Sequence, residues 1–189
     1  MYRTAALLVI APSMLVACTN STRYVSSWKD PGTPAFRLQH TLAVFMTTEA
    51  GVRRMVEDRL ASRLPGGVPS YRVIPDDQLS NVDSVRAHLA ASNFDAAVIM
   101  RVTGEETSVV ATGYPGFYGY WGYWNTAYSP VTYSTSKLYS VETTLYSMPN
   151  AKLVWMGRSE TIDPKNENKL ADYSVNFVVN NLKRDGYIR

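Results

Sequence analysis

The hydrophobic pattern changes period several times along the chain, and each change marks an element. Thr41 to Met46 read TLAVFM, a nearly continuous apolar run suited to a strand buried on both faces. The period then becomes helical, with Val52, Met55, Val56, Leu60 and Leu64 on one stripe. Arg53, Arg54, Glu57, Asp58 and Arg63 fall mostly on the opposite side of that helix, which is expected to face water. Thr47 or Thr48 suits its cap, Glu49 its first turn, and Pro65-Gly66-Gly67 its end.

A looser copy of this unit follows. Tyr71 to Ile74 is expected as a short strand and Pro75-Asp76-Asp77 as a turn; Val82, Val85 and Leu89 make a weaker helical stripe ending near Asn93. Asp95 to Val102, DAAVIMRV, reads as a third apolar strand. Strand, helix, strand, helix, strand at these separations implies parallel pairing through right-handed crossovers. Beyond it, Leu138 to Ser147 and Lys152 to Ile162 are rich in Thr, Val, Tyr and Trp around the turn Met148 to Ala151, the pattern of an antiparallel hairpin. Asp163-Pro164 breaks the second of these strands. A last helix carries Leu170, Tyr173, Phe177, Val178 and Leu182, with Gly186 placed for its C-terminal cap. The expected fold is α/β (α+β): a mixed sheet built from a βαβαβ unit, then an antiparallel hairpin and a C-terminal helix, all in one domain over residues 41–189.

The first residues do not belong to that domain. After Met-Tyr-Arg, the stretch Thr4 to Ala17 (TAALLVIAPSMLVA) places one positive charge ahead of a short apolar run ending in small residues, the pattern of a secretory signal. A helical span needs about 20 apolar residues, more than this run offers, and Pro12 interrupts it. Leu15-Val16-Ala17-Cys18 resembles the lipobox of bacterial lipoproteins. The resemblance implies that residues 1–17 are a cleaved signal peptide, that the Cys18 thiol carries diacylglycerol, and that its new amino group takes a further acyl chain such as palmitate. Burial contributes roughly 0.8 kcal/mol per methylene, so two or three chains hold a protein at a bilayer where one lets go. Thr19 stands where an aspartate would resemble an inner-membrane retention signal, which favours the outer membrane of a Gram-negative envelope. Residues 18–40 mix Ser, Thr, Pro and Gly as a tether does, although Tyr24 and Trp28 carry apolar faces that suit contact with the domain, part of it as an edge strand.

A wider resemblance rests on the order of short motifs: Val25-Ser26-Ser27-Trp28-Lys29-Asp30-Pro31, Phe94-Asp95-Ala96, Leu153-Val154-Trp155 before Ser159-Glu160-Thr161, and Asn180-Asn181-Leu182-Lys183-Arg184-Asp185-Gly186. Together they are similar to a group of small, uncharacterised bacterial envelope lipoproteins with a domain of unknown function. The resemblance implies an α/β domain in the periplasm and brings no catalytic or ligand-binding residues with it.

Composition narrows the function classes. The chain has 189 residues, 46% of them hydrophobic and 19% charged, with a formal net charge of +3, the profile of one globular domain. No run of like charges points to nucleic acid. One cysteine and two histidines exclude a disulfide within one chain and leave a Cys/His zinc site short of ligands, so no metal or cofactor is expected. There is no GxSxG elbow, Walker loop, GxGxxG or HExxH. His88 lies beside the apolar stripe of the second helix and His40 has no acidic companion in sequence. The pairs Asp76-Asp77 and Glu105-Glu106 suit a turn and a strand end, and adjacent strand positions point to opposite faces.

One segment stands apart. From Thr107 to Ser136 no residue is charged, and Gly113 to Trp124 reads GYPGFYGYWGYW. Tyr114, Phe117, Tyr118, Tyr120, Trp121, Tyr123, Trp124, Tyr128 and Tyr133 gather here, out of 4 Trp, 13 Tyr and 5 Phe in the whole chain. At about 150 Å² or more per ring, their surface exceeds what a soluble monomer leaves exposed. The rings pack on themselves in an elaborated hairpin over 107–136, meet a protein partner, or meet a bilayer or glycan. The expected partner surface is Tyr114, Phe117, Tyr118, Tyr120, Trp121, Tyr123, Trp124 and Tyr128. The leading expectation is a non-enzymatic, lipid-anchored envelope protein that binds another envelope component. The alternatives are a periplasmic hydrolase or glycan-processing enzyme, which needs at least two of Asp76, Asp77, Glu105, Glu106 and Glu142 at one pocket, and a glycan-binding module built on Trp121 or Trp124.

Overall fold

The computed structural model describes residues 22–34, 36–79, 81–112 and 132–189. In chain order its elements are β1 (Thr22–Lys29), β2 (Thr41–Met46), α1 (Ala50–Ala61), β3 (Val68–Pro69), α2 (Val82–Ala90), β4 (Ala96–Thr112), β5 (Thr132–Ser147), β6 (Lys152–Ile162) and α3 (Glu167–Arg184). The strands form one mixed sheet in the order β1-β6-β5-β4-β2-β3. β3, β2 and β4 run parallel; β4, β5, β6 and β1 alternate direction. This is the expected α/β (α+β) class, with the βαβαβ unit, the hairpin and the C-terminal helix all present.

The apolar run of β2 is continuous because both its sides are covered. Ala43 and Phe45 join the core beneath α1 and α3, while Leu42 and Val44 pack with Phe94, Ala97 and Leu89 of α2 on the other face. The chain moves outward from β2 to β3 and then back past β2 to β4. Two right-handed crossovers in opposite directions place α1 and α2 on opposite faces. The chain turns sharply after α1, where a Cβ on Gly66 (φ +53°) would lie 2.0 Å from the Gln39 carbonyl oxygen.

Two parts of the sequence reading change here. Arg53 and Glu57 do not face water; they are 2% and 0% exposed on the inner side of α1. Glu57 Oε1 accepts from the Phe45 backbone N–H (3.0 Å), Arg53 Nε (3.1 Å) and the Ser70 hydroxyl (2.7 Å), and Oε2 accepts from the Tyr71 N–H (2.9 Å). Arg53 in turn donates to Ser70 Oγ at 2.8 Å and pairs with Asp76. The strand expected at Tyr71 to Ile74 is instead the two-residue β3, followed by a 3-10 turn at Ser70–Arg72. The buried side chains explain the change: Glu57 takes the Tyr71 N–H and Arg53 reaches the Ile74 carbonyl at 3.4 Å, so these backbone groups do not join a ladder.

The C-terminal helix follows its sequence signals. Asn166 caps it through the Lys169 N–H (2.9 Å), and Gly186 takes φ +87° just past its end. Trp155, fully buried, rests over Gly157 and donates from Nε1 to Asp185 Oδ2 at 2.7 Å, tying β6 to the end of α3. β1 supplies the edge strand anticipated in the 18–40 stretch. Tyr24 approaches Phe177 with ring centroids 6.1 Å apart, while Trp28 remains half-exposed.

Removing one member of a buried ion pair strands the other. Glu57→Ala is therefore expected to lower stability by about 3 kcal/mol or more, read as a reduced urea midpoint with an unchanged m-value. A loss below about 1 kcal/mol would mean that the network contributes little beyond a surface pair.

Candidate functional site

The strand register brings several features to one end of the sheet. Thr22, the first residue of β1, is paired with Thr161; Thr161 pairs with Tyr139, and Tyr139 with Glu105. β2 ends here at Met46, opposite Arg101. The N-termini of α1 and α3 follow the ends of β2 and β6, so both helices begin at this same end. The turn Met148 to Ala151 and the end of α3 lie at the other.

Between α1, α3 and strands β4 and β5 is a cleft of about 260 Å³. Its deeper parts are Phe45, Val56, Met100, Val141, Ala171 and Ser174, all buried; its outer parts include Val52, Met55, Val102 and Leu170. Glu49, Glu105 and Glu167 are exposed where it opens. The register shift in β4 between Val102 and Gly104 decides this lining. It resets the alternation so that Glu105 shares a face with Met100 and Val102. Glu105 Oε1 accepts from the Tyr139 hydroxyl (3.0 Å) and Lys137 Nζ (3.4 Å), and these bonds are the first cause of the raised pKa of both Tyr139 and Lys137. Ser174 Oγ, on a residue 2% exposed, has no hydrogen-bond partner among the described residues.

Asp163 ends the three-strand part of the sheet. β6 pairs with β5 only as far as Leu138 opposite Ile162. At the next position Asp163 takes φ +46°, donates its N–H to the Lys137 carbonyl (2.8 Å), and accepts the Ser136 hydroxyl and the Lys137 N–H, each at 2.6 Å. From Thr107 to Thr112 and Thr132 to Ser136, β4 and β5 then pair only with each other among the described residues. The third strand is thus much longer than the expected Asp95 to Val102. The ends of the uncharged 107–136 segment are a two-stranded ribbon leaving the sheet beside the cleft.

The carboxylates singled out in sequence do not converge. Asp76 pairs with Arg53 and Arg54, and Asp77 is exposed in a 3-10 turn. Glu105 lines the cleft while the adjacent Glu106 does not. Glu142 pairs with Arg101 at 2.7 Å in a separate depression with Ile99, Tyr146 and Met156. His88 contacts Gln78 at 2.8 Å, and His40 stacks on Phe94 with centroids 4.5 Å apart. Among the described residues no group of three or more His, Cys, Asp or Glu side chains could hold a metal. Cys18, the signal at 1–17, and Tyr114, Phe117, Tyr118, Tyr120, Trp121, Tyr123, Trp124 and Tyr128 lie outside the described residues. Sequence reasoning misses Glu167 and Ser174 and takes Glu49 only as a first-turn residue. The available signal is that both glutamates stand where helices begin, and the two helices begin side by side.

The domain is therefore a mixed-sheet α/β fold with a cleft and a ribbon at one end. No protein-family model matches the sequence, and no curated protein sequence does either. Among solved structures the chain is similar to the PelC dodecamer from Paraburkholderia phytofirmans. A single-substitution variant of it gives a TM-score of 0.42 at 10% identity, covering 79% of this chain and 88% of that one. A second PelC crystal form gives 0.41 at 14% identity with the same coverage. Lipoprotein GNA1162 from Neisseria meningitidis gives 0.41 at 17% identity, covering 77% of this chain and 99% of that one.

The Ser136 hydroxyl, followed by the Lys137 N–H, holds the Asp163 carboxyl below the ordinary aspartate range. A lowered folded-state pKa stabilises the fold above the unfolded value of about 3.9, and that contribution is lost as pH falls through the folded value. In an NMR titration the Asp163 carboxyl is expected to protonate below that reference, with the Lys137 amide shift following it. A midpoint at or above the reference would contradict the geometry. Ser174→Ala removes a buried hydroxyl without a partner and should leave thermal stability unchanged or raise it by about 1 kcal/mol. A clear loss would mean that the hydroxyl is satisfied in solution.

Proposed function

We propose that this chain is a lipid-anchored, non-enzymatic protein of the bacterial envelope, with its domain facing the periplasm and engaging another envelope component at the end where the cleft opens. The observation that carries the reading is the lipobox Leu15-Val16-Ala17-Cys18, followed only four residues later by an edge strand that starts at that same end. An anchor at Cys18 would stand within four residues of the end where the cleft opens. Thr19 after the cysteine supports the outer membrane as the destination.

The binding reading is supported over the hydrolytic one by the scatter of Asp76, Asp77, Glu105, Glu106 and Glu142, which leaves one of the five at the cleft. The other two glutamates that open onto it, Glu49 and Glu167, stand at helix starts, where carboxylates favour the positive end of the helix dipole without further cause. Ser174 has no histidine near it in the cleft lining.

The test is photo-crosslinking in cells from Val102 and Leu170, with Asn150 at the far end as control. Discrete adducts from the two cleft positions, absent from the control and lost in Cys18→Ala, are the expected result. Equal capture from Asn150, or capture indifferent to Cys18→Ala, would remove the cleft end from the function.

A further inference from the structure

We infer that the β4–β5 ribbon docks on the bilayer surface, giving the protein a second membrane contact independent of the lipid at Cys18. The inference rests on the anchor reading and names the occupant of the ribbon, which the sequence leaves open between self-packing, a protein, a glycan and a lipid surface. Its basis is the register at one end of the sheet. Thr22 is level with Thr161, Tyr139 and Glu105, and the ribbon continues past that level in the direction from which β1 enters.

Chain lengths make the placement quantitative. The four residues from Cys18 to Thr22 span at most about 14 Å even when fully extended. A lipid on Cys18 therefore holds the level of Thr22 and Glu105 within that distance of the membrane interface. From Thr107 to Thr112 the ribbon runs outward for six further residues, about 20 Å at roughly 3.4 Å each. Pointed along β4 and β5, it reaches the headgroup layer before the residues between its arms are counted.

The distribution of charge follows the same line. Glu105, Glu106 and Lys137 are the last charged residues before the ribbon, and none occurs from Thr107 to Ser136. Charges in β4 and β5 thus stop where β6 stops. A charged side chain is costly to carry into a bilayer, whereas Trp and Tyr concentrate at the headgroup level. The backbone sets the depth. Among the described residues both edges of the ribbon are open, and unpaired N–H and C=O groups are not tolerated in hydrocarbon, so the ribbon lies in the hydrated interface and does not span. The interface also supplies cover that an isolated hairpin, marginal in water, otherwise lacks.

The experiment uses the lipidated full-length protein in vesicles of phosphatidylethanolamine and phosphatidylglycerol that carry spin-labelled lipid. Cys18 is the chain's single cysteine, so when its thiol carries the diacylglycerol an introduced cysteine is the sole site for a maleimide fluorophore. Ser108→Cys and Thr135→Cys place the probe on exposed ribbon positions, and Asn150→Cys places it at the opposite end of the sheet. The expected result is a blue shift and quenching by the spin-labelled lipid at both ribbon positions, with neither at Asn150. Water-like, unquenched emission from both ribbon probes overturns the inference and assigns the ribbon to a protein, to a glycan or to itself. Quenching at Asn150 equal to that at the ribbon overturns the orientation. Maleimide uptake by the unsubstituted protein exposes a free Cys18 thiol, which removes the anchor and the length argument with it and is distinguishable from the other two failures.

Discussion

The Glu57 carboxylate is the point on which the arrangement of this domain turns. Four donors converge on it: the backbone of β2 at Phe45, Arg53 one helical turn earlier, and both Ser70 and the Tyr71 N–H from the turn after β3. Three consecutive elements are held by one side chain. Burying a charge costs several kcal/mol unless partners and hydrogen bonds offset it, and here each oxygen of the carboxylate has a donor. Such a network contributes little to net stability compared with an apolar substitute. What it does supply is position, because α1 cannot slide along β2 without stranding the carboxylate. That fixes where α1 begins, and so fixes one wall of the cleft.

The same network explains which parts of the fold are legible in sequence. β2, β6 and α3 declare themselves through run length, alternation and caps, because the large side chains they bury are mostly apolar. α1 declares its existence but not its orientation. Arg53 and Glu57 resemble a solvated i, i+4 pair, and nothing along the chain announces that Ser70 and Asp76 will arrive to satisfy them. The short β3 escapes the pattern for the same reason: its missing ladder bonds are replaced by side chains distant in sequence. The length of β4 is hidden differently. Thr107 to Thr112 has no apolar alternation to mark it, since it leaves the core, and only its register with Thr132 to Lys137 of β5 identifies it as strand.

The candidate site is legible in part. Its chemistry-bearing residues come from the starts of two helices and from a strand with a register shift, and no sequence window contains more than one of these parts. Glu49 and Glu167 are ordinary first-turn acids when read singly. They become neighbours of one opening because α1 and α3 start from the same end of the sheet, which is a property of strand order rather than of local pattern. Cys18 is the opposite case. The resemblance that singles it out is wholly local, and the fold adds only the level at which β1 begins at Thr22.

That entry point connects the two halves of the molecule. An edge strand antiparallel to its neighbour has one consequence for its first residue: it must lie where the neighbour ends. β6 ends beside Asp163, and Asp163 is the residue that stops the three-strand ladder and lets β4 and β5 continue alone. A single break at Asp163-Pro164 therefore determines the level at which β1 begins and the level at which the ribbon departs. A longer β6 would carry a third strand out along the ribbon and satisfy its open edge. It would also remove the reason for the docking proposed for the ribbon. The proline at 164, which cannot donate to a ladder, opposes that extension. In the proposed attachment, the levels at which anchor and ribbon would meet a membrane are thus set by where one strand is made to stop.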